Sequence, residues 1–225
     1  MKKNCYVSVS TDPIKVGKNF DKKIIAYARE ILSSGADFLH CDIMDAKFVK
    51  NKTFDENIVK AINSNCLIPL DVHLMIENPK KKIKEYSKAG ANILTVHFES
   101  FNRRKDIIEA LKEIRKQKML AGLSIKPQTG IYEIEEFLDY ADVILVMSVE
   151  PGESGQKFLE QTKERIVTLA KIRQEKGLIF KIEVDGGITP ELSKEIRKLG
   201  VDMIVSGSYV YNSDDKKSAI SSLLD

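Results

Sequence analysis

Two stretches of this chain set an imidazole and a carboxylate two residues apart: His40-Cys41-Asp42 and Asp71-Val72-His73. Alternate side chains of a β-strand share a face. In Phe38-Leu39-His40-Cys41-Asp42-Ile43-Met44, the residues Leu39, Cys41 and Ile43 fall on one face, and His40, Asp42 and Met44 on the other. In Leu70-Asp71-Val72-His73-Leu74-Met75, the acid, imidazole and thioether again share a face. A buried carboxylate is costly unless it is paired or binds a metal. Each strand alone would fit a satisfied core histidine; the repetition favours one shared site. With Asp185 of Asp185-Gly186-Gly187, the residues His40, Asp42 and His73 make a mixed nitrogen and oxygen donor set. Such a set suits one divalent ion, Zn²⁺ foremost, with Fe²⁺, Mn²⁺ or Co²⁺ as alternatives. His97, the remaining histidine, is a fifth ligand or, the favoured reading, part of the pocket wall or a position behind the ligands.

Something must hold these groups together. Short runs rich in Val, Ile and Leu recur near residues 6–9, 38–42, 70–74, 93–97, 121–125, 143–147, 182–185 and 203–205. Amphipathic Lys/Glu-rich segments separate them, at 21–32, 79–89, 104–116, 133–138, 156–173, 190–199 and 214–224. Gly35, Gly90 and Gly200 stand where helices end and strands begin, as C-caps. Asn78-Pro79 and Thr189-Pro190 read as caps before a proline at the first helical position. Eight such strands alternating with helices over residues 1–225 predict a single α/β domain, a (β/α)8 TIM barrel. A doubly wound open sheet would be favoured by a glycine fingerprint after the first strand, and Ser10-Thr11-Asp12-Pro13 stands there instead.

In a (β/α)8 barrel, polar residues at the C-terminal strand ends form the active site. Gly186 and Gly187 follow the seventh strand; Gly207 and Ser208 follow the eighth. Loops in those positions commonly bind phosphate through backbone amides. Gly152 and Gly155, after the sixth strand, supply a third wall or a closing loop. Met44, Met75 and Met147 lie near strand ends, as core filler or as a polarisable apolar cap over a reactive carbon. Placement favours the cap.

Composition narrows the partners. The net charge is only +3, and the clusters Lys80-Lys81-Lys82 and Arg103-Arg104-Lys105 fall in helical segments without interleaved aromatics. They read as solvated helix faces, which argues against nucleic-acid binding. Cys5, Cys41 and Cys66 are odd in number and far apart, so they read as reduced thiols of a cytoplasmic protein. Met1-Lys2-Lys3-Asn4 leads into a strand with no apolar signal region, and no run is long enough to span a membrane. Apolar positions on several helices leave room for a homo-oligomer.

These segments together resemble the ribulose-phosphate 3-epimerase family over nearly the whole chain. The resemblance is carried by Leu39-His40-Cys41-Asp42-Ile43-Met44-Asp45, Asp71-Val72-His73-Leu74-Met75, Thr95-Val96-His97, Val146-Met147-Ser148-Val149 with Pro151-Gly152, and Glu183-Val184-Asp185-Gly186-Gly187. It implies a ribulose-phosphate-binding barrel that interconverts D-ribulose 5-phosphate and D-xylulose 5-phosphate. It also implies a divalent metal on His40, Asp42, His73 and Asp185, with Asp42 and Asp185 as reciprocal acid and base. Ser8, or Ser10 in the alternative register, takes the place of the family's N-terminal serine. Ser8, Met44, Met75, Met147, Gly152, Gly155, Gly186, Gly187, Gly207 and Ser208 are then the residues expected around a phosphorylated sugar. The chain departs from the pattern at Ala46, Lys50, Lys126 and the Glu153-Ser154 pair. Those departures bear on the sugar and the phosphate, and admit an epimerase for a relative such as D-allulose 6-phosphate, or a barrel that binds phosphosugar without turnover.

Overall fold

β1 (Tyr6–Ser10), β2 (Phe38–Met44), β3 (Leu70–Met75), β4 (Ile93–His97), β5 (Leu120–Ile125), β6 (Val143–Met147), β7 (Lys181–Asp185) and β8 (Met203–Ser206) pair in parallel, each with the next. β8 returns to β1, with Tyr6 against Met203, so the sheet closes into a barrel without edges. The computed structural model describes residues 5–225; Met1, Lys2, Lys3 and Asn4 lie outside the described residues.

Helices wrap the sheet because each crossover between parallel neighbours must return the chain along the barrel's outer surface. They are α1 (Phe20–Ser33), α2 (Glu56–Asn65), α3 (Ile83–Ala89), α4 (Arg104–Lys116), α5 (Ile131–Ile134), α6 (Thr162–Glu175), α7 (Pro190–Lys198), α8 (Ser208–Tyr211) and α9 (Lys216–Ser222). The outward strand residues Val7, Val9, Leu39, Cys41, Ile43, Val72 and Leu74 join Ile24, Ile31, Val59, Ile62, Ile107 and Leu111 of the helices in one continuous apolar core. Each fully buried Ile or Leu there contributes about 1.5–3 kcal/mol of transfer free energy. Gly35, Gly90 and Gly200 take φ of +93°, +98° and +111° at the helix-to-strand turns, the left-handed cap their positions predict.

Inside the barrel the layers differ in chemistry. Ile93, Val143 and Met203, with Tyr6 and Phe38, plug the N-terminal end. Next along the strands come Ser8, His40, Asp71 and Glu183, all fully buried. At the C-terminal mouth stand Ser10, Asp42, Met147 and Asp185.

Several expected elements shift. The helix predicted over 156–173 begins only at Thr162, because the Leu159 amide donates to the Ser148 carbonyl (2.9 Å) and ties the preceding residues to β6. The segment 79–89 divides into a 3-10 turn (Pro79–Lys81) and α3. Asn78 precedes it at φ +53° without a side-chain cap, whereas Thr189 does cap α7 through the Leu192 amide. α2 is a helix that the sequence reading does not name; Asp55 caps it at the Asn57 amide, and Val59 and Ile62 are its buried stripe. The three cysteines are buried free thiols. Among the described residues, no helix is long and apolar enough to cross a membrane.

Candidate active site and metal centre

The register of β2 on β3 builds the first half of the site. His40 lies beside Asp71 and Asp42 beside His73, so two acid–imidazole pairs stand in adjacent rows. β7 carries Asp185 towards them from a strand that neighbours neither. His40 Nε2 is 3.3 Å from Asp42 Oδ1, 3.4 Å from His73 Nδ1 and 3.9 Å from Asp185 Oδ2. His73 Nδ1 is 3.1 Å from Asp42 Oδ1. One donor atom from each of His40, Asp42, His73 and Asp185 lies within 4.8 Å of all the others, the spread of ligands around a single ion.

The imidazoles are oriented from behind. His40 Nδ1 lies 2.6 Å from Asp71 Oδ2, and Ser8 Oγ donates to the same oxygen at 3.0 Å. An acidic partner on one ring nitrogen leaves the other as the lone-pair donor. His73 Nε2 meets His97 Nε2 at 2.8 Å, which leaves Nδ1 towards the cluster.

The electrostatics fit a cation. Burial opposes a charge on His40, but Asp71 and Asp42 outweigh it and hold its pKa well above the ordinary value, so without an ion Nε2 carries a proton that a metal would displace. Burial likewise opposes ionisation of Asp42, yet His40 and His73 beside it hold its carboxyl far below the usual range. Burial lowers the pKa of His73. Asp185 behaves in the opposite way to Asp42: burial, then the charge of Asp42, push it up to about 7. Two carboxylates at one mouth thus resist ionising together, the conflict that a divalent cation between them relieves.

Above the cluster, the mouth opens into a cavity. Met44, Met75 and Met147 line it, as do Gly152, Gly155, Gly186, Gly187, Gly207 and Ser208. Gly187 has φ +66°, and a Cβ there would stand 2.6 Å from the Phe158 amide nitrogen and 2.8 Å from the Gln156 carbonyl, so only glycine lets these two loops close on each other. Asn51 Nδ2 donates to the Gly152 carbonyl (2.7 Å) and joins the loop after β2 to the loop after β6.

Ser8 does not reach this mouth. It is fully buried under Asp71, and the hydroxyl at the cavity is that of Ser10, which donates to Asp42 Oδ2 at 2.8 Å. The reason is the strand period: two residues along β1 move a side chain by one interior layer. Asp12 also lines the cavity; burial raises its pKa, with Asp42 adding to the effect. Glu183 is a further interior acid, to which the sequence assigns no site role. Burial, reinforced by Asp71, holds its pKa well above the ordinary value, so it is a neutral acid beside an ionised one. Its signal in the sequence was its spacing, two residues before Asp185 on the same strand face.

Fold and site together define a (β/α)8-barrel enzyme with a divalent-cation centre at the C-terminal mouth. The chain belongs to the ribulose-phosphate 3-epimerase family: residues 17–211 match the model of the Ribulose-phosphate 3 epimerase family, and the activity is that of an epimerase. It is 39% identical over 196 residues to the ribulose-phosphate 3-epimerase of Bacillus subtilis (strain 168), covering 87% of this chain and 89% of that one. It is 40% identical over 184 residues to the ribulose-phosphate 3-epimerase of Aquifex aeolicus (strain VF5), covering 82% of each. Among solved structures, 3-keto-L-gulonate-6-phosphate decarboxylase from Vibrio cholerae O1 biovar El Tor str. N16961 superposes with a TM-score of 0.72 at 12% identity, over 98% of this chain and 96% of that one, a likeness of fold.

Proposed function

We propose that the chain interconverts D-ribulose 5-phosphate and D-xylulose 5-phosphate by moving protons on and off C3 from two sides. The observation that carries this reading is geometric: Asp42 on β2 and Asp185 on β7, strands that are not neighbours, bring carboxylate oxygens to one cluster at the cavity, where burial and the charge of Asp42 favour the protonated form of Asp185. An ionised carboxylate is a base, and a carboxyl with a pKa near 7 holds a proton to give. Asp42 takes the C3 proton; the C–H electron pair becomes the C2–C3 double bond of an enediolate as the C2 carbonyl π pair moves onto its oxygen; the carbonyl re-forms as Asp185 delivers a proton to the opposite face of C3. The C3 hydroxyl stays in place, and the reverse reaction exchanges the two roles. One base would have to cross the plane of a fixed substrate to do both.

Ser10 orients Asp42 by donating to its outer oxygen. The carbonyl of Asp185 accepts from the Ser148 amide (2.9 Å) and hydroxyl (2.7 Å), which fixes the end of β7. The methionines give the intermediate an apolar, polarisable cover, and Gly186, Gly187, Gly207 and Ser208 offer backbone amides to the phosphate. His40, Asp42, His73 and Asp185 would hold the ion, Zn²⁺ by its match to two imidazoles and two carboxylates. When bound it supplies Lewis-acid stabilisation of the enediolate oxygens, an effect of several kcal/mol.

The test is proton NMR of D-ribulose 5-phosphate in deuterated water. Deuterium is expected to enter C3 as D-xylulose 5-phosphate appears; both stop with chelator and return with Zn²⁺. A zinc-loaded protein that does neither contradicts the reading. A higher kcat/KM on D-allulose 6-phosphate than on D-ribulose 5-phosphate would reassign the substrate.

A further inference from the structure

Behind His73, on the side away from the cavity, a chain of polar contacts leaves the barrel interior. His73 Nε2 lies 2.8 Å from His97 Nε2, the rings stacked at 27° with centroids 4.9 Å apart. His97 Nδ1 lies 3.1 Å from Glu99 Oε2. The other oxygen, Glu99 Oε1, accepts from the Lys126 amide at 2.8 Å and from the Thr129 hydroxyl. Arg165 fixes that loop, donating to the carbonyls of Lys126 (2.7 Å) and Thr129 (3.1 Å). Both imidazoles are fully buried, and the Glu99 side chain is 20% exposed. The Phe48 ring closes over His97, with its centroid 4.8 Å away.

We propose that Glu99, acting through His97, holds His73 in the tautomer whose Nδ1 lone pair faces the cation site. This role rests on the metal-centre reading and follows from the count of donors and acceptors along the chain. An ionised carboxylate can only accept. His97 Nδ1 therefore carries the hydrogen, and His97 Nε2 offers a lone pair. Only one hydrogen fits between the two Nε2 atoms, so it belongs to His73 Nε2. His73 Nδ1 is then free of hydrogen. Asp42, 3.1 Å from that nitrogen, draws the tautomer the other way, because it too accepts. Glu99 counters this pull. Glu99 and His97 are positioning residues; neither lines the cavity.

Glu99→Gln reverses the chain. Its amide oxygen is claimed by the Lys126 amide and Thr129, which turns the amide nitrogen towards His97. His97 Nδ1 must now accept, Nε2 donates, and His73 becomes the Nδ1–H form. Groups that orient metal-binding histidines from behind are typically worth 10–100-fold in affinity. The test uses the full chain. Zn²⁺ affinity is measured by chelator competition, and long-range ¹H–¹⁵N spectra of the zinc-free protein report the His73 tautomer. Wild type is expected to show the Nε2–H form. Glu99→Gln is expected to show the Nδ1–H form and a 10–100-fold rise in zinc Kd. Thr129→Val keeps the carboxylate and is expected to stay within about threefold of wild type, where a merely structural role for this loop would weaken both variants alike. His97→Phe removes the acceptor while leaving an aromatic ring, and should match Glu99→Gln; it decides the matter if that variant does not fold. Unchanged tautomer and unchanged Kd in the folded variant overturn the proposal. Wild type that binds no Zn²⁺ while showing the expected tautomers would instead sink the metal reading alone.

Discussion

His40 Nδ1 and Asp71 Oδ2 lie 2.6 Å apart, and neither side chain is exposed to solvent. The acid therefore serves the imidazole, and through it the ligand nitrogen His40 Nε2 on the far side of the ring. Asp71→Asn is expected to weaken divalent-cation binding by about 10–100-fold, because the amide no longer selects the required tautomer. Chelator competition measures this, and an affinity within about twofold of wild type would remove Asp71 from the account.

Stability of the metal-free protein should depend on pH through Asp185. Its pKa is raised from 3.8 to about 7 by burial and by Asp42. Between those values the folded chain binds more protons than the unfolded chain, so stability is lost as pH rises through that window. Asp185→Asn has no such loss. In urea unfolding with chelator present, the variant is expected to gain on wild type by on the order of a few kcal/mol from the bottom to the top of the window. Curves that stay parallel would contradict a buried Asp185 facing the charge of Asp42.

Gly187→Ala is expected to damage phosphate binding more than chemistry. The new Cβ meets backbone atoms of Gln156 and Phe158, which cannot rotate away, at a φ that alanine rarely adopts. The loops must part. A loss of about 1–3 kcal/mol in stability and a larger effect on KM than on kcat are expected. Unfolding curves and steady-state kinetics check both; unchanged KM would move the phosphate elsewhere.

Much of this site is legible in the sequence because a strand's period of two is rigid. His40 with Asp42, and Asp71 with His73, keep their shared face in the folded chain, and the barrel only adds register. Register is what the sequence lacks. It decides that Asp71 pairs with His40 behind the cluster while Asp42 enters it, and that Ser10 rather than Ser8 meets the cavity. Glu183 shares the face of Asp185, so the same period places it inside; what sequence alone does not give is the layer, beside Asp71 and beneath the cluster. The late start of α6 is tertiary in origin: residues 156–161 have helix-compatible composition, but Leu159 bonds to Ser148 and Gly187 packs against their backbone. The helix α2 has its cap at Asp55 and its stripe at Val59 and Ile62, but the polar residues between them mask so short a stripe in the sequence.

The claim that Asp42 and Asp185 serve opposite faces of C3 is tested most directly by single variants loaded with Zn²⁺ in deuterated water. Asp42→Asn and Asp185→Asn are each expected to slow interconversion by at least about 10²–10⁴-fold. Each should still exchange the C3 proton of one epimer, and the two variants should choose opposite epimers. Both variants exchanging the same epimer, or either one interconverting the two sugars at near the wild-type rate, would contradict it.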